Sequence, residues 1–176
     1  MKFAYLIGAP GAGKSTVAAT LRSFAAKQQL YEEPLPHLVT FRQGVVWCAE
    51  LGRVREHFAG TDALAMDIID AAERFVSARP FRRFFAEGDR LANDRFFDHV
   101  TEAGYELAVF YLDTPRNLLE ERRAKRAAEV GKAQDGTWIK GRESKVRALA
   151  ERWQAKPLDG SLSSIDNAAI IKMWLR

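Results

Sequence analysis

Eight consecutive residues carry the clearest chemistry in this chain: Gly8-Ala9-Pro10-Gly11-Ala12-Gly13-Lys14-Ser15, followed by Thr16. They match G-x-x-x-x-G-K-[ST] in full, with an apolar run before and a helical pattern after. Glycines 8, 11 and 13 allow backbone conformations that aim successive N–H groups inward. The N-terminus of the following helix adds to that anion cradle. The Lys14 ammonium can reach β- and γ-phosphates, and the Ser15 hydroxyl can ligate Mg²⁺. Gly8 to Thr16 are therefore expected to hold the phosphates of a nucleotide. A chance glycine-rich turn would lack the Lys-Ser-Thr run and the two flanking elements.

A cradle gives binding and not yet a reaction. A second carboxylate for Mg²⁺ is expected at the end of a strand beside the first, and two segments compete. Leu107–Asp113 is an apolar run ending in Asp, but Asp113-Thr114-Pro115 can equally begin a turn into a helix. Phe84-Phe85-Ala86-Glu87-Gly88-Asp89 has the same form with a shorter run, and Glu87 and Asp89 suit metal or substrate better. Glu87 is the expected metal partner of Ser15. Gly60-Thr61-Asp62 reads as a turn with an N-cap. The functional alternative makes Asp62 the base for a substrate hydroxyl, a poor nucleophile until it loses its proton. Asp89 is the second candidate for that base.

Leu118 to Glu129 reads LLEERRAKRAAE, with Arg122, Lys125, Arg126 and Glu129 near one helical face. A solvated, salt-bridged face is the ordinary reading. Here at least one of Arg122, Arg123 and Arg126 is expected to clamp a transferring phosphoryl group, with Arg122 and Arg126 preferred. Trp138-Ile139-Lys140-Gly141-Arg142 and Lys145-x-Arg147 interleave an aromatic with cations. A base stacked on Trp138, with phosphate contacts from Lys140 and Arg142, is one reading; a loop Trp covering the core is the other. His37, His57 and His99 lack ligand-like spacing and are assigned no role.

These side chains need a scaffold, and the pattern supplies one. Short apolar strands are expected at 3–7, 84–86, 106–112 and 156–158, with a hairpin of 37–41 and 45–49 around Arg42-Gln43-Gly44. Helices are expected at 15 to about 29, 63–78 behind the Thr61-Asp62 cap, 94–103, 115 to about 130, 143–153 and 164–175. Residues 31–36 and 131–141 read as loops. Strands alternating with helices imply an α/β fold with a mostly parallel sheet between helical layers, and residues 1–176 as a single domain.

Composition agrees. A chain of 176 residues with 47% hydrophobic and 28% charged residues can bury a sizeable core, which excludes wholesale disorder. No stretch approaches the roughly 18 apolar residues of a membrane span, and the N-terminal apolar run is too short for a secretory signal. A soluble cytoplasmic protein with no membrane partner is expected. The single cysteine, Cys48, excludes an internal disulfide and reads as a buried strand thiol. An N-K-x-D guanine motif is absent from the sequence. Net charge is +4, and it is uneven: residues 116–152 hold 11 Lys+Arg against 6 Asp+Glu, whereas residues 1–115 hold 13 against 15. That concentration suits phosphate or nucleic-acid contact.

The phosphate loop, the Glu87-Gly88-Asp89-Arg90 strand end, Leu112-Asp113-Thr114-Pro115 and Arg122-Arg123-x-x-Arg126 come in the order found in small P-loop kinases. The chain resembles the nucleotide and polynucleotide kinases of that group over nearly its whole length, with only the phosphate loop highly specific. The resemblance implies a three-layer P-loop NTPase fold and the cofactors ATP and Mg²⁺. It also implies an arginine-bearing helical lid over about 116–152, and adenine near Asp159-Gly160-Ser161. Gly60-Thr61-Asp62-Ala63-Leu64, Glu87–Arg90 and Trp138–Arg142 further resemble bacteriophage 5-hydroxymethyluridine DNA kinases. That likeness implies phosphorylation of a base hydroxymethyl in DNA during thymidine hypermodification, with Thr61, Arg90, Trp138, Lys140 and Arg142 at the substrate. The location would then be the host cytoplasm. A kinase of free nucleosides or nucleotides, and a nucleotide-dependent DNA-binding ATPase, are the alternatives. The oligomeric state is left open.

Overall fold

The computed structural model of the chain describes residues 1–55, 59–131 and 134–176; His57 lies outside them. β1 (Lys2–Ile7) ends at the phosphate loop, and α1 (Lys14–Ser23) follows it. β2 (Lys27–Tyr31), β3 (His37–Arg42) and β4 (Val45–Leu51) form an antiparallel meander. A short 3₁₀ turn (Thr61–Ala63) leads to α2 (Ile69–Ser77), β5 (Arg83–Glu87), α3 (Asp94–Glu102) and β6 (Glu106–Asp113). α4 (Arg116–Val130), α5 (Gly136–Arg152), β7 (Lys156–Asp159) and α6 (Ser164–Leu175) complete the chain.

The seven strands form one sheet in the order β2-β3-β4-β5-β1-β6-β7. Strands β4, β5, β1, β6 and β7 run parallel. β1 lies in the middle of these, and its residues alternate between two cores. Phe3, Tyr5 and Ile7 pack with Phe84, Phe96, Phe97 and Val100 under α2, α3 and α5. Ala4 and Leu6 pack with Val17, Leu21, Ile171 and Leu175 under α1 and α6. Burial on both faces explains why β1 reads as a continuous apolar run, and the two cores make a three-layer α/β/α arrangement. None of the described helices is long and apolar enough to cross a membrane.

Three local expectations need correction. The helix after the phosphate loop stops at Ser23, and Lys27–Tyr31 forms an edge strand beside β3. All five of its residues are exposed, so no apolar alternation marks it, and pairing overrides the helix propensity of Lys and Gln. The helix expected from Ala63 begins at Ile69, because Leu64 is extended at φ −81° and ψ 159°. Residues 61–63 are tied to the end of β5 instead. Finally, Trp138–Arg142 are helical. Asp135 caps α5 by accepting from the Trp138 N–H at 2.8 Å, and Gly136 and Gly141 are absorbed into the helix. Cys48 is buried on β4, as expected.

Candidate functional site

At the C-terminal ends of the parallel strands lies a cleft of about 870 Å³, a volume suited to a nucleotide with room beside it. Its floor is the loop between β1 and α1. Gly13 adopts φ 100° at the start of α1, a left-handed conformation that glycine takes without strain. The loop is held from outside by groups that bond its carbonyls. Thr114 Oγ1 donates to Ala12 O at 3.1 Å, Arg122 Nη1 to the same oxygen at 2.9 Å, and Arg123 Nε to Pro10 O at 2.7 Å. Lys14 Nζ folds back onto Gly8 O at 2.9 Å and Ala9 O at 3.3 Å. Desolvation lowers the Lys14 pKa, while Glu87 and Asp62 oppose that shift.

Ser15 Oγ donates to Glu87 Oε1 at 2.9 Å, which separates the two candidate carboxylates. β5 and β6 both flank β1, but Asp113 ends β6 at an exposed position outside the cleft lining. Its backbone oxygen accepts from Gly160 N at 2.6 Å. Glu87 is 1% exposed. Burial pushes its carboxyl up to about 7, against the pull of Lys14 and the Ser15 hydrogen bond; Asp62 adds to the rise. An adjacent hydroxyl and carboxylate are hard oxygen donors of the kind Mg²⁺ takes when substrate phosphates and water complete its shell. No group of three or more potential ligands among His, Cys, Asp and Glu occurs among the described residues.

The wall across from the loop is built from the segments around Asp62 and Asp89. Asp62 Oδ1 accepts from the Asp89 N–H at 2.7 Å, stitching the 3₁₀ turn to the end of β5. The Asp89 carboxylate is paired with Arg142 and, at 3.1 Å, with Lys145, both from α5. The Arg142 guanidinium also sits over the Trp138 ring, 5.3 Å from its centroid. Asp62, Glu87, Asp89, Arg90, Arg126, Trp138 and Arg142 all line the cleft. The three sequence-distant segments around Asp62, Glu87–Arg90 and Trp138–Arg142 therefore meet at one place.

Two residues expected at the substrate lie outside the cleft lining. Thr61 is fully buried; its hydroxyl donates to Glu87 O at 2.9 Å and meets the Tyr5 hydroxyl at 3.1 Å. It shapes the β5 end. Lys140 is exposed and outside the cleft lining. Arg122 does line the cleft, but its donors are engaged by Ala12 O and, at 3.3 Å, Gly160 O. Among the described residues, five cations of 116–152 are paired with carboxylates, although Arg116 and Arg152 remain exposed. Arg116 pairs with Glu120, Arg123 with Glu143, Arg152 with Asp94, and Arg142 and Lys145 with Asp89.

Sequence reasoning missed Thr114 and Asn167. Thr114 tethers the loop through a contact spanning most of the chain, which no local pattern announces. Asn167 interrupts the buried stripe of α6 formed with Ala168, Ile171 and Leu175. A polar residue on such a stripe is the signal that could have found it.

The sequence matches the family described as P-loop Nucleotide Kinase3 over residues 1–168. Among solved structures, the chain is similar to an unliganded sugar kinase from Janibacter sp. HTCC2649, with 12% identity and a TM-score of 0.54 over 99% of this chain and 94% of that one. It is also similar to a gluconokinase from Sinorhizobium meliloti 1021, with 12% identity and a TM-score of 0.52 over 99% and 93% of the two chains. At such identities the likeness is one of fold. No curated protein matches the sequence.

Proposed function

The chain belongs to the P-loop nucleotide kinase family, and from that premise we propose an ATP- and Mg²⁺-dependent kinase acting on a hydroxyl, with the hydroxymethyl group of 5-hydroxymethyluridine in DNA as acceptor. The observation that carries the kinase reading is the Ser15–Glu87 contact at 2.9 Å beside Lys14, with two further aspartates on the facing wall. Bound Mg²⁺, held by Ser15 and Glu87, would neutralise charge on the β- and γ-phosphates. The N–H groups of Gly11, Gly13, Lys14 and Ser15 hold the triphosphate, since Pro10 has none and those of Ala12 and Thr16 donate to Ala9 O and Gly13 O. Lys14 exchanges Gly8 O and Ala9 O for phosphate oxygens. Asp62 takes the acceptor proton at the oxygen not bonded to Asp89 N, as the acceptor oxygen bonds to γ-phosphorus and ADP leaves. Asp89, held by Arg142 and Lys145, positions that wall. Arg126 clamps the transferred group, and Arg122 braces the loop.

The DNA reading is supported by the resemblance of three separated segments to hydroxymethyluridine DNA kinases, since all three contribute to the cleft. A second reading, a kinase of free nucleosides or nucleotides, is favoured by the internal pairing of the 116–152 cations, which leaves less charge for a polymer. Labelled ATP offered with free nucleosides, nucleotides, plain DNA and hydroxymethyluridine DNA tests both. The proposal expects label on the base hydroxymethyl after digestion. Transfer to free nucleosides or nucleotides alone would replace it with the second reading, and ATP hydrolysis with no transfer to any of the four would defeat both.

A further inference from the structure

The end of the sheet opposite the cleft carries cations that no carboxylate answers. β3 ends at Arg42, and Gln43 (φ 50°) and Gly44 (φ 77°) turn the chain into β4. The Arg42 guanidinium lies over the Trp47 ring of β4, 3.9 Å from its centroid. Arg83, at the start of β5, donates through Nη1 to Trp47 O at 3.4 Å and through Nε to Leu175 O at 2.6 Å. Lys172, on the last turn of α6, sits over the Phe24 ring at 4.2 Å, and Arg176 follows that helix. Arg83 is accounted for, since a cation at a helix C-terminus meets the negative end of the dipole. Arg42, Lys172 and Arg176 are not. Desolvation lowers the Arg42 pKa, and Arg176 and Arg83 add to the fall. Desolvation lowers that of Lys172 too, with Arg42 and Arg176 adding. Among the described residues, none of the three takes part in an ion pair. The neighbouring Cys48 thiol is held protonated by burial and brings no charge.

Solvation does not account for Arg42 either. Its Nε and Nη2 are shut off from water and have no hydrogen-bond partner. The Trp47 ring favours the positive charge without supplying an acceptor atom. Nη1 is the guanidinium nitrogen left at the surface of this half-buried side chain. Like charges gathered around a partly desolvated guanidinium are costly unless an anion completes them. None of these residues lines the cleft, so the phosphates expected over the loop between β1 and α1 do not supply that anion. We propose that Arg42, Lys172 and Arg176 form a second anion site, for a phosphate monoester group, held by Arg42 Nη1 and the Lys172 ammonium with Arg176 at its open side. A carboxylate carries one charge and would answer one cation. A phosphate monoester carries about 1.5 to 2 negative charges at pH 7 and presents three oxygens, which suits three cations and the fork of a guanidinium. The same group occurs on soluble esters and on lipid headgroups. Val45 and Met173, exposed beside Arg42 and Lys172, would suit the second source as well.

The test is an NMR titration of the nitrogen-15-labelled full chain with inorganic phosphate, against acetate at matched ionic strength. The Arg42 Nε–H and Trp47 indole N–H signals are expected to shift saturably with phosphate and not with acetate. Phosphate entering the loop between β1 and α1 moves the Gly11 and Gly13 amides instead. The two sites are thus read separately, and this one stands or falls independently of the kinase reading. In Arg42→Gln and in Lys172→Gln, the affinity read from the Trp47 signal should fall at least about tenfold, the scale of a hydrogen bond to a charged group. Losing the Trp47 stack could disturb the hairpin in the first variant, so the parent protein and Lys172→Gln decide without it. Vesicles of phosphatidylcholine with and without phosphatidic acid identify the source. Binding that needs phosphatidic acid and is lost in Lys172→Gln assigns a lipid headgroup; a phosphate response without vesicle binding assigns a soluble ester. Equal shifts with acetate, no shift at Arg42 and Trp47, or a response unchanged in Lys172→Gln would overturn the site.

Discussion

Gly160→Ala is the sharpest test of how the site is assembled. Gly160 is buried between the loop-bracing groups: its N–H donates to Asp113 O at 2.6 Å, and its oxygen accepts from Arg122. A Cβ at this position would stand 1.9 Å from Thr114 Oγ1, 2.8 Å from Thr114 Cβ and 2.9 Å from Asp113 O. Two of these atoms are backbone or Cβ and cannot swing away, so Thr114 must move and its bond to Ala12 O is lost. Overpacking of this kind costs about 1–3 kcal/mol, and the hydrogen bond adds about 1 kcal/mol. The sum, about 2–4 kcal/mol, corresponds to a fall in Tm on the order of 10 °C for a chain of this size. Thermal unfolding followed by circular dichroism reads it directly, and ATP affinity should drop in parallel because the loop loses its tether. Adding Thr114→Ala removes the worst overlap, so the double variant should be less destabilised than the sum of the singles, by about 1 kcal/mol or more. A Gly160→Ala protein that melts within about 2 °C of the parent would refute the packing account.

Other expectations follow from the same geometry. Lys14→Ala should abolish phosphoryl transfer with little change in thermal unfolding, since Thr114, Arg122 and Arg123 tether the loop independently of it; normal turnover would remove the phosphate role. Asp62→Asn keeps the Oδ1 acceptor for Asp89 N but cannot take a proton, so turnover should fall roughly 10²-fold or more with ATP affinity preserved. A near-normal rate would shift the base to Asp89. Glu50, buried beside Arg22 at 2.7 Å, has its carboxyl pushed up to about 7 from 4.5 by desolvation, with Arg22 opposing. A raised carboxyl favours the fold when protonated, so its contribution is complete below about pH 4.5 and is lost as pH rises through about 7. Urea unfolding of Glu50→Gln should show a flatter stability profile than the parent across that window; an unchanged profile would mean that Glu50 does not titrate there.

What could be read from the sequence follows how local the physics is. The phosphate loop depends on residue types at fixed spacing, so it stood out at once. β1, β6 and α6 were legible because burial on two faces or a helical stripe leaves a strong pattern. β2 was not, since an edge strand with every side chain in water carries no alternation. The start of α5 was hidden by Gly136 and Gly141, whose loop signal was outweighed by the Asp135 cap. The preference for Glu87 over Asp113 rested on residue type and turn context, because both strands neighbour β1; only the tertiary structure shows the Ser15 hydroxyl placed against Glu87. The inward pairing of Arg142 and Lys145 was equally invisible: a basic run shows its charge in sequence but not its partners.

The outward carbonyls of the phosphate loop are already occupied by Thr114, Arg122 and Arg123. A peptide unit whose oxygen is fixed on one side has its N–H fixed on the other, so the dipoles that meet a triphosphate are oriented before it arrives. In water, solvent dipoles must turn to follow charge as it develops, and that reorientation is a large part of an uncatalysed barrier. Here the turning is done during folding. Arg122 and Arg123 would thus accelerate transfer without touching the transferred group, by keeping the field of the loop constant from ground state to transition state.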